Sequence, residues 1–232
     1  MPFRTDTTVP MAGGGRPTNA SATTSVLPIT VLLVVSSAVT AWLSATHVLT
    51  AEAYTHLLDG RVQAHEMTGL VSRMTNMSFL GYAAEPALVL ARVLLVALCV
   101  QLALLGAGIS HSLRAIYVAC GLAYLAMAAK GLAHLVVLAR VGAAAITPRA
   151  LATSPLSAAS AWGQAYWDHS IARYSLLDAL NIFELAWCVI LVMALVRLQV
   201  RVRIALPIAL TIWLVVTAVQ VSAAAYLSGM FR

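Results

Sequence analysis

Charged residues are scarce in this chain of 232 residues: Asp, Glu, Lys and Arg together make up 9% of it, whereas apolar residues make up 61%. A soluble globular domain carries about 25% charged residues, so the composition excludes an ordinary soluble domain. The 14 basic residues give a formal net charge of +6, but they are scattered rather than collected in the basic stripe of a nucleic-acid-binding protein. We therefore expect no nucleic-acid partner.

Catalytic and metal-binding motifs are also missing. The three cysteines, Cys99, Cys120 and Cys188, all fall in apolar stretches, where a thiol packs as a small apolar group. The chain has no Walker lysine motif, no His-Glu-x-x-His and no Gly-x-Ser-x-Gly, the motifs that would indicate a nucleotide site, a zinc site or a nucleophilic serine. We predict a protein that is not an enzyme and that has no cofactor, metal site or disulfide.

Long apolar runs dominate what is present. Each of five stretches reaches or exceeds the ~20 residues that a membrane-spanning helix needs. They cover residues 27–49, 83–109, 115–139, 176–196 and 204–227. We predict an all-α, polytopic integral membrane protein, with a flexible tail over residues 1–26 and a bundle of five transmembrane helices over residues 27–232. An odd number of spans places the two termini on opposite sides of the membrane.

The connections between the predicted spans indicate where the chain meets the headgroups. Residues 50–80 mix charged residues with Leu, Val and Met, which predicts either a surface helix or an ordered cap. The short connection before the last span carries Arg197, Arg201 and Arg203, which we expect to contact anionic lipid headgroups. Basic residues divide evenly between the two sides of the membrane. Those on the side of Arg197, Arg201 and Arg203, however, sit in shorter connections. This favours a cytoplasmic N-terminus and an outside C-terminus.

Ionisable side chains inside apolar spans are costly and mark either structure or function. The third and fourth predicted spans run antiparallel, so Lys130 should lie level with Glu184. On the same reasoning His134 should lie level with Asp178 and Asn181. At about 1.5 Å of rise per residue, the depths of these residues differ by only a few Å. The membrane-embedded polar residues therefore gather in one half of the bundle.

A seam of mostly small residues along the third span supports this pairing. Small residues let helix backbones approach closely, so Lys130 should face a partner helix rather than lipid, and Glu184 is the expected partner. The members of the seam are Ala119, Ala123, Ala126, Lys130, Ala133 and Val137.

Two interpretations of the polar residues stay open. Lys130 with Glu184, and Glu85 with Arg92 two turns further along one helix, can be neutralised pairs that fix helix register. Alternatively, these four residues can join His134, Asp178 and Asn181 in a half-cavity that binds an ion or a small ligand, as in a small transporter. A haem-bearing membrane anchor is a further alternative, with His47 and His134 as the candidate axial ligands.

Two local motifs and one connection carry a family resemblance. The third span starts with SHSLRAIYVACGLAYLAM (Ser110 to Met127), the fourth with SLLDALNIFELAW (Ser175 to Trp187), and a very short basic turn joins the last two spans. In these features the chain resembles bacterial members of the Yip1 family of five-span membrane proteins. The resemblance implies a cytoplasmic N-terminus and a role in membrane organisation or trafficking, or as an accessory to other membrane proteins.

The function expected from the sequence is therefore that of a non-catalytic scaffold or accessory subunit of a membrane complex. Its expected partners are the lipid bilayer and other membrane proteins. The small-residue seams are compatible with self-association as well as with packing inside one chain, so a homo-oligomer is possible.

Overall fold

The computed structural model describes residues 25–58, 64–142, 145–162 and 170–230. Within these ranges the chain is helical, and its only extended pairing is one isolated antiparallel bridge between Ser157 and Asn181. Nearly all of the predicted flexible tail, residues 1–24, lies outside the described residues.

Nine α-helices lie within the described ranges, and the first of them continues into a π-helical turn over Ser44–Val48. The helices are α1 (Val26–Leu43), α2 (Ala51–Leu58), α3 (Ala64–Gly106), α4 (Leu113–Val141), α5 (Pro148–Ala152), α6 (Ala158–Trp162), α7 (Ile171–Ala179), α8 (Ile182–Arg197) and α9 (Val202–Met230).

Among the described residues, four helical segments are long and apolar enough to cross a bilayer. They are Val26–Val48, Ala84–Gly106, Leu113–Val141 and Val202–Tyr226, and they agree within a few residues with the first, second, third and fifth predicted spans. The described part of the protein is thus all-helical, with four candidate membrane-spanning helices. The second of these begins inside a longer helix, because α3 starts at Ala64. Part of residues 50–80, for which we expected a surface helix or an ordered cap, is therefore helical.

The fourth predicted span differs from expectation. The sequence predicts one continuous helix over residues 176–196, but α7 ends at Ala179 and α8 begins at Ile182. Helix α8 has 16 residues, which at about 1.5 Å per residue gives about 24 Å, less than the ~30 Å of a bilayer core. Leu180 and Asn181 leave the helical conformation, and the Leu180 carbonyl accepts a hydrogen bond from the Ala158 N–H at 2.9 Å.

The core is formed where α1, α3, α4, α8 and the first half of α9 pack together. Ala119, Ala123 and Ala126 of the predicted seam are buried, whereas Val137 at its far end is exposed. Helix α1 approaches α4 so closely that a Cβ built on Gly121 would lie 2.8 Å from Ile29 Cγ1. Helix α9 packs against α8, α3 and α7, so the C-terminal helix closes the bundle.

Candidate functional site

The break between α7 and α8 is stabilised by Asn181. Its Oδ1 accepts the Glu184 N–H at 2.9 Å, and its Nδ2 donates to the Asp178 carbonyl at 2.8 Å. The residue is only 2% exposed. Asn is a preferred N-cap because its side chain satisfies an N–H that has no partner inside the helix. Asn181 therefore ends one helix and starts the next.

Lys130 and Glu184 form an ion pair between α4 and α8. Lys130 Nζ lies 3.3 Å from Glu184 Oε1, and the two side chains are 19% and 10% exposed. The antiparallel register predicts this contact from the sequence, and the structure contains it. Glu184 lies in the first turn of α8, where the helix dipole also favours a negative charge. The pair ties the start of the restarted helix to the middle of α4.

Asp178 binds the turn that joins α5 to α6. One carboxylate oxygen accepts the Ser154 N–H at 2.7 Å, and the other accepts the Ser154 hydroxyl at 2.7 Å. Ser157 donates its hydroxyl to the Ser154 carbonyl at 2.8 Å and also forms the bridge with Asn181. Both serines are buried. These contacts hold the residues before α6 against the end of α7 and the start of α8.

His134 connects α4 to α5. Its Nε2 lies 3.1 Å from the Ala150 carbonyl oxygen, so this nitrogen is already engaged. His47, the other candidate haem ligand, lies edge-on against the Trp42 ring, with ring centroids 6.1 Å apart. In this conformation His134 would have to give up its hydrogen bond before Nε2 could bind iron.

We call the group formed by Lys130, His134, Asp178, Asn181, Glu184 and Ser154 the polar clamp. Five of its six members are among the predicted site residues, and Ser154 is the addition. Each member has a polar contact to the chain in the structure, and together they hold α5, α7 and α8 against α4. Among the described residues, no three His, Cys, Asp or Glu side chains are grouped as a metal site would require. The arrangement is suited to fixing helices in place.

Glu85 and Arg92 do not join the polar clamp. Within the described ranges they form no ion pair with each other, and Arg92 is exposed. Glu85 is half-buried and lines a cavity between α1, α3 and α4. The single polar half-cavity predicted from the sequence is therefore divided into the polar clamp and a separate cavity at Glu85.

The predicted headgroup residues Arg197, Arg201 and Arg203 are all exposed around the turn from α8 to α9. Val200, in the middle of that turn, is buried. The buried valine holds the turn against the bundle while the three guanidinium groups remain accessible. Exposed arginines beside two apolar helices are well placed to contact anionic headgroups.

Comparison with known proteins adds no relative: no family model matches the chain, and no curated protein or solved structure matches it. The resemblance to the Yip1 family therefore depends on the motifs in the sequence and remains a prediction.

Proposed function

We propose that this chain is an integral membrane protein that crosses the bilayer five times and acts as a non-catalytic scaffold or accessory subunit of a membrane complex. In this proposal α7 and α8 together make the fourth crossing, as a broken helix. The N-terminus is cytoplasmic, the C-terminus lies outside, and the membrane is a bacterial inner membrane. This is also the role that the Yip1-like motifs imply.

The direction of α8 supports its assignment to the fourth crossing. Glu184 at its start lies beside Lys130, well along α4, and its far end is followed by a short turn into α9. Helix α9 then packs against α8 and also contacts α7, as a helix returning across the membrane would. Non-helical backbone at membrane depth is tolerated where its polar groups find partners in the protein; at the break, the Leu180 carbonyl accepts the Ala158 N–H and Asn181 accepts the Glu184 N–H.

The closed hydrogen bonding of the polar clamp is the observation that carries the scaffold proposal. Its carboxylates, amide and ammonium group bind one another or nearby backbone, as in a structural network. The outer faces of the long helices, in contrast, are apolar and exposed. Leu95 and Leu102 of α3, for example, are 63% and 69% exposed. Such faces suit contact with lipid and with the helices of a partner, including a second copy of the chain.

Site-specific photo-crosslinking in intact membranes tests this function. A photo-reactive residue at Leu95 or Leu102 should give a crosslinked product of one defined mass, which mass spectrometry assigns to a membrane protein or to a second copy. The matched control is Val100, which is fully buried on the same helix and should give no intermolecular product. Crosslinks to lipid alone from both outward positions would contradict the scaffold proposal.

A further inference from the structure

The cavity at Glu85 is separate from the polar clamp and contains a different kind of site. It has a volume of about 90 Å³, well above the roughly 10–15 Å³ that one water needs by the same measure. Three hydroxyl residues of α1 line it together with Glu85, and Tyr124 of α4 lines it from the other side. The hydroxyl residues are Ser36, Ser37 and Thr40.

The three α1 hydroxyl groups each donate a hydrogen bond to a backbone carbonyl of α1. Ser36 Oγ donates to the Leu33 carbonyl at 3.0 Å, and Ser37 Oγ donates to the Val34 carbonyl at 3.0 Å. Thr40 Oγ1 donates to the Ser36 carbonyl at 2.8 Å. A hydroxyl has one proton and two lone pairs, so each of these oxygens can offer only lone pairs to whatever occupies the cavity. Such oxygens attract a cation or a hydrogen-bond donor.

The charge at the cavity is negative. Glu85 is the second residue of the apolar segment Ala84–Gly106, and within the described residues its carboxylate has no ion-pair partner. The ammonium group of Lys130, next to the lining residue Gly131, is bound to Glu184. Arg92 lies two turns further along α3, about 10 Å away along the axis at ~1.5 Å per residue. A carboxylate inside an apolar bundle is costly unless it is paired.

We propose that this cavity binds a small monovalent metal cation, with Glu85 as the charged ligand and the α1 hydroxyl oxygens as neutral ligands. Carboxylate and hydroxyl oxygens are hard ligands and suit hard cations. One carboxylate neutralises one positive charge, whereas a divalent ion would leave an excess positive charge at a half-buried site between apolar helices, which is costly. The site is distinct from the polar clamp and does not depend on the scaffold function.

Thermal unfolding of the full chain in lipid nanodiscs tests the site. The melting temperature is measured in NaCl, in KCl and in choline chloride at equal ionic strength, because choline is an organic cation too large to be held by these oxygens. A ligand that binds the folded state raises the melting temperature in a concentration-dependent way. We expect a saturable rise with Na⁺ or K⁺ over choline. Equal melting temperatures in all three salts would overturn the proposal.

Three variants connect the response to the cavity. Glu85→Gln should abolish the cation-dependent rise of the melting temperature. Thr40→Val removes one neutral ligand while keeping the shape of the side chain, and it should raise the cation concentration that gives half of the full rise at least tenfold. Glu52→Gln changes an exposed carboxylate on α2 and should leave the rise unchanged. If Glu85→Gln does not fold, Thr40→Val alone decides. A full response in Thr40→Val, or a melting temperature that responds to acid but to neither cation, contradicts the assignment.

Discussion

Removing one partner of the Lys130–Glu184 pair should destabilise the bundle far more than removing both. The two charges are 3.3 Å apart, and at an effective dielectric constant of about 20 they attract by about 5 kcal/mol. The cost of taking both charges out of water offsets much of this attraction. Deleting one partner leaves the other charge buried and uncompensated, at a cost of about 3–5 kcal/mol, whereas replacing both with shape-matched neutral residues is often close to neutral.

The variants are Lys130→Met, Glu184→Gln and the double variant. We expect each single change to lower the free energy of unfolding by about 3–5 kcal/mol. The double variant should lie within about 1 kcal/mol of the starting protein, which corresponds to a strongly coupled pair. Equilibrium unfolding in mixed micelles measures all three. Arg197→Met, at an exposed arginine, is the control and should stay within about 0.5 kcal/mol.

The reasoning would be refuted if the double variant were no more stable than the worse single variant. It would also fail if either single change cost less than about 1 kcal/mol, because a charge left at a site only 10–19% exposed cannot be hydrated without rearranging the bundle.

Further changes test the helix break and the closest packing. Asn181→Ala should lower the free energy of unfolding by about 1–2 kcal/mol, while Asn181→Ser, which keeps a cap acceptor, should recover part of that loss in the same unfolding assay. Asp178→Leu removes the carboxylate that accepts both hydrogen bonds of Ser154. Because the turn between α5 and α6 is then held less firmly, a protease site engineered into it should be cleaved faster. Gly121→Ala should cost about 1–3 kcal/mol by overpacking, because its Cβ would lie 2.8 Å from Ile29 Cγ1; adding Ile29→Ala should restore part of the stability.

The sequence predicts the long helices and one cross-helix contact for simple reasons. Length and hydropathy determine the apolar segments, and a constant rise per residue converts sequence position into depth. Lys130 and Glu184 could therefore be matched without knowing the loops. The pairing of Glu85 with Arg92 had a different basis, a shared face of one helix; residues seven apart differ by about 10 Å in height, and within the described ranges these two form no ion pair.

The break at Leu180 and Asn181 has a weak signal in the local sequence, which the hydropathy of the span conceals. Asp178, Asn181 and Glu184 interrupt the apolar run, and an Asn followed three residues later by a Glu is a signal for the start of a helix. The interactions that end α7 come from far along the chain: Ala158 binds the Leu180 carbonyl, and Ser154 binds Asp178. Such long-range contacts override the helical preference of the segment.

The cavity at Glu85 had a signal in the sequence that went unused. Ser36, Ser37 and Thr40 interrupt the first apolar span, and their spacing of three and four residues puts Thr40 on the helix face of the two serines. What the sequence could not supply is the helix that this face meets. The structure brings the face to α3 and thereby to Glu85.

The central claim is a bundle that crosses the membrane five times, with a broken fourth helix. Cysteine labelling tests it, because it shows on which side of the membrane the turn between α8 and α9 lies. Single cysteines at Ser110, Thr147 and Gln199, all exposed, are labelled with a membrane-impermeant maleimide in sealed vesicles, in a background without the three native cysteines. The broken-crossing account predicts that Gln199 is labelled from the same side as Ser110 and from the side opposite to Thr147. Labelling of Gln199 from the same side as Thr147 would contradict it.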